Sequence, residues 1–277
     1  MTFAQRLHRL REQKKSLLCI GLDPELQKLP GPLQTTPTAL QDFCEQIIAA
    51  SAQHAIAFKI NFAFFERYGA AGWEMIARVR EKIPADCIAI ADAKRGDIGN
   101  SARHYAHAIL TELAFDAVTV SPYMGRDSAE PFLEYTDRGI FFLGLTSNPG
   151  AEDIQLQDVA GTPLFLHVAR LVQSWNRAGN CGLVAGATRP QTVQQIRTVA
   201  PDLPLLMPGV GAQGGDLQTV LAAAGDTNVL ISASRSIIYA GSGADFARAA
   251  AEEAGRMHDV MREYFSADDL PDKTKRS

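Results

Sequence analysis

Asp92, Lys94 and Asp97 fall within six positions, in the string Asp92-Ala93-Lys94-Arg95-Gly96-Asp97. In an extended segment alternate side chains share a face, so Asp92 and Lys94 project together while Ala93 points away. An ammonium aimed by carboxylates can stabilise developing negative charge or move a proton. Opposite charges about 4 Å apart attract by about 4 kcal/mol at an effective dielectric near 20. Solvated pairs realise little of that. Charges converging in a concave mouth therefore mark a functional site more readily than a surface ion pair does. Asp97 follows Gly96 and precedes Ile98. Taken alone, it reads equally well as an acid near a helix N-terminus.

Lys59 and Asn61 end a second apolar run, and Asp23 follows the first. Asp23 alone fits a surface loop as well as a site. Late in the chain stands Pro208-Gly209-Val210-Gly211-Ala212-Gln213-Gly214-Gly215-Asp216, and then Ser232-Ala233-Ser234-Arg235-Ser236. Glycines let a backbone approach an anion closely, and N–H groups at a helix start bind phosphate. Either segment alone is weak support, the two together with Arg235 are stronger, and a plain surface arginine is the lesser reading of Arg235. The segment from Thr146-Ser147-Asn148-Pro149-Gly150 to about Gly161 suits a substrate-facing loop or lid. Ser121-Pro122-Tyr123 is a further candidate for the same mouth. No histidine stands at an expected strand end, and His104 and His107 read as helical. No metal-ligand spacing is present.

The elements that would position these residues repeat along the chain. Apolar runs at Ser16–Gly21, Ala55–Ile60, Cys87–Ala91, Ala117–Val120, Ile140–Leu145, Cys181–Val184, Leu203–Met207 and Asn228–Ile231 read as strands buried on both faces. Between them lie amphipathic patterns over Thr38–Ala52 and Trp73–Ile83, and a helix with Pro190 in its first turn and Thr188 as its cap. The last helix is expected over roughly Ala244 to Tyr264. Eight strands alternating with helices favour an α/β fold, a single-domain (β/α)₈ barrel over residues 1–277, with a polar tail, 267–277, expected to fray. A doubly wound open sheet is the alternative, but Gly21-Leu22-Asp23-Pro24 after the first run is not its glycine-rich turn. In a barrel, the charged residues above would gather at the C-terminal mouth, with the phosphate site after strands seven and eight.

Composition narrows the function. The 277 residues are 46% hydrophobic and 21% charged, with a formal net charge of −4 and no Lys/Arg block, so neither a nucleic-acid nor a membrane surface is expected. Cys19, Cys44, Cys87 and Cys181 show no C-x-x-C spacing, which removes support for zinc and redox motifs and agrees with a reducing cytoplasm. The apolar run Leu17 to Leu22 is too short for a secretory signal, and no run reaches transmembrane length.

The string Asp92-Ala93-Lys94-Arg95-Gly96-Asp97-Ile98-Gly99-Asn100-Ser101 resembles the D-x-K-x-G-D-I-x-x-[TS] signature of orotidine 5′-phosphate decarboxylases. Gly21-Leu22-Asp23, Phe58-Lys59-Ile60-Asn61, Pro208 to Gly215, and Ser234-Arg235 match in order, so the resemblance covers essentially the whole chain and points to the longer bacterial-type branch. Ser234 departs from the frequent glycine before the arginine, and Ser101 replaces a frequent threonine. The resemblance implies a cofactor-free, metal-free homodimer that converts orotidine 5′-phosphate to UMP in pyrimidine biosynthesis. It implies that Lys59, Asp92 and Lys94 form a charged chain with Asp97 of the other subunit, and that Lys94 protonates C6. Asp23 and Lys59 would hold the ribose, Ser147 the pyrimidine, and Gln213 with Arg235 the phosphate. Pro208 and Ser234 would belong to the same binding segments. Ile98 and Ser101 would reach across from the partner. Two rivals remain: a metal-dependent sugar-phosphate decarboxylase or epimerase with a similar D-x-K-x-x-D stretch, and a non-catalytic nucleotide-binding barrel.

Overall fold

The computed structural model describes residues 1–277 except 32, 35–37, 188, 211–216, 225–227 and 269–277, and leaves the side chains of 190, 224 and 266–268 undescribed. Eight parallel strands close into a barrel in sequence order. They are β1 (Leu18–Leu22), β2 (Ala57–Asn61), β3 (Ile88–Arg95), β4 (Ala117–Val120), β5 (Gly139–Leu145), β6 (Cys181–Ala185), β7 (Leu205–Pro208) and β8 (Val229–Ala233). The helices that matter below are α1 (Phe3–Lys14), α2 (Ala39–Ser51), α3 (Ala70–Lys82), α4 (Gly99–His107), α5 (Arg126–Leu133), α6 (Leu164–Trp175), α7 (Pro190–Val199), α8 (Leu217–Ala224) and α9 (Phe246–Asp268).

Strand alternation divides the core into two layers. Leu18, Ile20, Phe58, Ile60, Ala89 and Ala91 face outward and pack with the helices. Cys19, Ala57, Ile88, Ile90, Ala117, Phe141, Val184, Leu206 and Leu230 face inward and fill the barrel. Helix α1 closes the N-terminal end of that inner layer with Phe3, Leu7 and Leu10, one face of a helix. Its start is fixed by a capping box: Gln5 N–H donates to Thr2 Oγ1 at 3.3 Å, and Thr2 N–H donates to Gln5 Oε1 at 3.0 Å. The Phe3 and Phe141 rings meet edge to face, with centroids 5.7 Å apart. Gly182 makes room for them, because a Cβ there would lie 2.6 Å from the Phe141 ring and 2.9 Å from Pro204 O. The barrel is thus filled below and can be polar only above.

Several element bounds differ from the sequence expectation for identifiable reasons. β3 runs on through Asp92–Arg95, because Lys94 N–H donates to Thr119 Oγ1 at 2.9 Å and Ser121 N–H donates to Arg95 O at 2.8 Å. The β3–β4 register shifts between Ala91 and Arg95, so these residues form an irregularity at the strand end. The segment after β5 is no plain loop: it carries a short helix, Ala151–Ile154, and a two-stranded antiparallel hairpin pairing Asp158 with Pro163 and Val159 with Thr162. Helix α9 continues to Asp268, so the expected tail begins as helix, and its residues 269–277 lie outside the described residues. Arg189 occupies the cap position before α7, while Thr188, the expected cap, is outside the described residues.

Candidate active site

The inward positions that hold apolar side chains low in the barrel turn polar one layer higher. Ala57 gives way to Lys59, Ile90 to Asp92, Ala117 to Thr119 and Leu230 to Ser232. The register places Asn61 beside Asp92 and Gly21 beside Lys59. Alternation alone therefore brings these groups together at the C-terminal ends of the strands, where barrel enzymes keep their chemistry.

Asp92 is the centre of the cluster. Its Oδ2 accepts from Lys59 Nζ at 3.0 Å, and its Oδ1 accepts from Lys94 Nζ at 2.6 Å and from Thr119 Oγ1 at 3.1 Å. Asp23 Oδ1 lies 3.9 Å from Lys59 Nζ. The Lys59 side chain is 7% exposed and that of Lys94 is 48% exposed. Lys59 is thus a fixed, buried charge, and Lys94 is the one that faces the mouth.

Burial would raise the Asp92 carboxyl, but the Lys59 and Lys94 ammoniums hold it well below the usual carboxylate range. Burial would depress Lys59, but Asp92 and Asp23 outweigh that and raise it above the ordinary lysine range. The sign of each contribution to stability follows. Asp92 stabilises the fold above an unfolded pKa of about 3.9, and this is lost as pH falls through its depressed folded value. Lys59 contributes fully below about 10.4, and this is lost as pH rises through its elevated folded value. Asp92 and Lys59 keep their charges across the range between.

Lys94 has a φ of 45°, in the left-handed region. For a residue with a Cβ this costs roughly 1–2 kcal/mol. Contacts of Lys94 and of its neighbour Arg95 hold it there. Thr119 Oγ1 accepts from the Lys94 N–H while donating to Asp92. Arg95, the next residue, donates to Ala93 O at 3.0 Å and pairs with Glu66. Its guanidinium lies 5.7 Å from the Phe62 ring centroid and 5.5 Å from that of Tyr105. Strain secured by its surroundings is typical of residues whose direction matters.

Thr119 is absent from the residues expected at the site, although the sequence carries a signal for it. It is the one polar residue of Ala117-Val118-Thr119-Val120, and it shares a face with Ala117. Thr119→Val removes both its hydrogen bonds at constant shape. A hydrogen bond to a charged group is worth about 1.5–3 kcal/mol. We therefore expect kcat to fall roughly 10- to 100-fold and the melting temperature to drop, measured by steady-state kinetics and a thermal melt.

Two cavities meet at Lys59 and Pro208. One, of about 220 Å³, is lined by Lys59, Asp92, Lys94, Thr119, Ser147 and Pro208, among others. The other, of about 90 Å³, is lined by Asp23, Lys59, Pro208, Gly209, Ser234 and Arg235, among others. The structure thus brings Asp23, Lys59, Asp92, Lys94, Ser147, Pro208, Ser234 and Arg235 onto one continuous cleft. Gly21 explains how Ser234 fits the fold: a Cβ at residue 21 would sit 2.8 Å from the Ser234 Cβ. The Ser234 Oγ and Asp23 Oδ1 are buried without hydrogen-bond partners among the described residues. Thr146, the residue before Ser147, is fixed by Gln155: Gln155 Oε1 accepts from Thr146 N–H at 2.7 Å, and Gln155 Nε2 donates to Thr146 Oγ1 at 2.9 Å. Gln155 is a second residue that sequence reading missed, because its partner lies nine positions away across the short helix.

Asp97, Ile98 and Ser101 stand apart from this cleft's lining. Asp97 Oδ1 accepts from Ile98 N–H at 2.8 Å and makes no ion pair among the described residues. Ile98 is 58% exposed, and Ser101 is exposed on α4. Gln213 lies outside the described residues. Among the described residues, no three His, Cys, Asp or Glu side chains are gathered to hold a metal ion, and no helix is long and apolar enough to cross a membrane.

A closed parallel barrel with a lysine–aspartate chain at its mouth defines a class of α/β-barrel enzyme, and comparison with known proteins narrows it. Residues 16–250 match the profile of the orotidine 5′-phosphate decarboxylase / HUMPS family. The chain is 46% identical over 271 residues to an orotidine 5′-phosphate decarboxylase of Dehalococcoides mccartyi, covering 95% of this chain and 98% of that one. It is 48% identical over 255 residues to that of Herpetosiphon aurantiacus, covering 91% and 95%. The structure of Leishmania donovani OMP decarboxylase superposes with a TM-score of 0.82 at 37% identity, covering 95% of this chain and all of that one. The chain belongs to the orotidine 5′-phosphate decarboxylase / HUMPS family.

Proposed function

We propose that the chain decarboxylates orotidine 5′-phosphate to UMP, the step that completes the pyrimidine nucleotide. The observation that carries this reading is Asp92, its side chain 11% exposed and bonded at once to Lys59 and Lys94, on a cleft whose far end carries Arg235. Loss of carbon dioxide from C6 leaves an electron pair in the ring plane, where the ring π-orbitals cannot spread it. An ammonium fixed beside C6 stabilises that charge and then delivers its proton. Lys94 is that acid, and Asp92 aims it. Lys59 and Asp23 hold the ribose hydroxyls, Ser147 faces the pyrimidine, and Pro208, Gln213, Ser234 and Arg235 form the phosphate end. Contacts there supply binding energy far from the reacting carbon.

The site is shared between two subunits. Asp97, Ile98 and Ser101 sit on a surface with exposed Tyr105, Tyr123 and Met124, an apolar set suited to a second copy of the chain. The chain works as one barrel domain in the cytoplasm, where its four buried thiols stay reduced. The test is absorbance-monitored consumption of orotidine 5′-phosphate with and without EDTA. Equal rates support this reading, and dependence on added divalent metal points to the sugar-phosphate enzymes of the same barrel group.

The phosphate end makes a separate prediction. Arg235→Ala should lower kcat/KM for orotidine 5′-phosphate by about 100-fold, while orotidine without its phosphate loses less than about 3-fold. Equal losses for nucleotide and nucleoside, in parallel kinetic runs, would remove Arg235 from phosphate recognition.

A further inference from the structure

The two ends of the ribose–phosphate cavity are carried by different strands. Asp23 follows β1, and Arg235 opens the short helix Arg235–Ile238 after β8. One side chain outside the cavity's lining joins them. Tyr239 ends that helix, and its N–H donates to Arg235 O at 3.3 Å. Its phenol oxygen accepts from Glu25 N–H at 2.7 Å and donates to Asp23 O at 3.3 Å. The ring stacks on Phe43 of α2, with centroids 5.9 Å apart.

From this geometry, and resting on the functional reading above, we infer that Tyr239 is a positioning residue. It sets the spacing between the ribose-binding Asp23 and the phosphate-binding Arg235, so that both ends of one nucleotide are engaged together. The phenol touches no part of the cleft itself and acts through two backbone segments. Its donation to Asp23 O needs the neutral hydroxyl, and burial pushes its pKa up to about 12, so it stays neutral across the working range. Lys28 adds support from outside, lying 5.9 Å from the Tyr239 ring centroid while paired with Glu25 at 2.6 Å.

A spacing role has a signature that a merely structural role lacks. Two fragments that bind separately tolerate a shift in spacing, whereas a ligand that joins them does not. Tyr239→Phe keeps the ring and its stack on Phe43 and removes both phenol hydrogen bonds. Titration calorimetry would compare wild type and variant for UMP, uridine and inorganic phosphate. We expect UMP to bind at least ~10-fold more weakly to the variant, while uridine and phosphate each stay within ~2-fold. Unchanged UMP affinity overturns the coupling. So does a loss for uridine or phosphate as large as that for UMP, because Tyr239 would then build one subsite rather than space two. A wild-type chain that fails to bind UMP at all overturns the functional reading itself. A second measurement needs no variant. In the wild-type protein, saturating UMP should slow hydrogen exchange at the Glu25 amide, which Tyr239 connects to the Arg235 helix, by about 10-fold, whereas phosphate alone should slow it by no more than ~2-fold. An unchanged Glu25 exchange rate with UMP contradicts the inference.

Discussion

Lys94→Ala is expected to lower kcat by at least about 10⁴-fold, because the substitution removes both the charge beside C6 and the proton donor. The fold should survive. The side chain is half-exposed, and Asp92 keeps Lys59 and Thr119 as partners. The same variant should lose exchange of the C6 hydrogen of UMP with solvent deuterium, followed by proton NMR. Substantial residual exchange would name another acid. A second variant separates chemistry from strain. Lys94→Gly should be as inactive as Lys94→Ala yet melt at a higher temperature, because glycine accepts a φ of 45° without the cost an alanine Cβ incurs. Equal melting temperatures would mean that the backbone relaxes at this position.

The other large effect comes from mixing two inactive proteins. Asp97→Ala alone should be nearly inactive if Asp97 completes the partner's site. When it is mixed with Lys94→Ala under conditions that exchange subunits, each mixed dimer has one site with both defects and one with neither. A twofold interface makes this reciprocal. Random pairing makes about half the dimers mixed, so roughly a quarter of all sites should recover. If Asp97 instead serves its own chain, every site keeps a defect and mixing restores nothing. Subunit exchange, shown independently by mass spectrometry of labelled chains, makes either outcome decisive.

Much of this was legible in the sequence because a barrel strand is covered on both faces. Runs such as Cys87–Ala91 are apolar throughout and mark their own position, and a charge at their end, here Asp92, is conspicuous. Asp92, Lys94 and Lys59 were found in that way. What remained hidden depends on contacts that have no local pattern. Thr119 looks like any strand threonine until β3 is laid beside β4. The positive φ of Lys94 comes from the β3–β4 irregularity and from the Arg95 anchor on Glu66, Phe62 and Tyr105, which no residue type near Lys94 announces. The hairpin inside the segment after β5 has no trace in the sequence because two-residue strands carry no periodicity. Tyr239 lies 216 positions from Asp23, and only barrel closure between β8 and β1 brings them together. The place of Asp97 depends on a second chain, which is why sequence resemblance speaks to it and one subunit's geometry does not.

The most direct measurement is product analysis in deuterium oxide. Chelator-treated enzyme is given carboxyl-labelled orotidine 5′-phosphate, released carbon dioxide is counted, and the nucleotide is examined by NMR. One carbon dioxide per UMP, with one deuterium at C6 of each UMP, is the result expected if Lys94 delivers a solvent-exchangeable proton as the carboxylate leaves. Retention of the label in the nucleotide, or release that begins only when a divalent metal is restored, would contradict it.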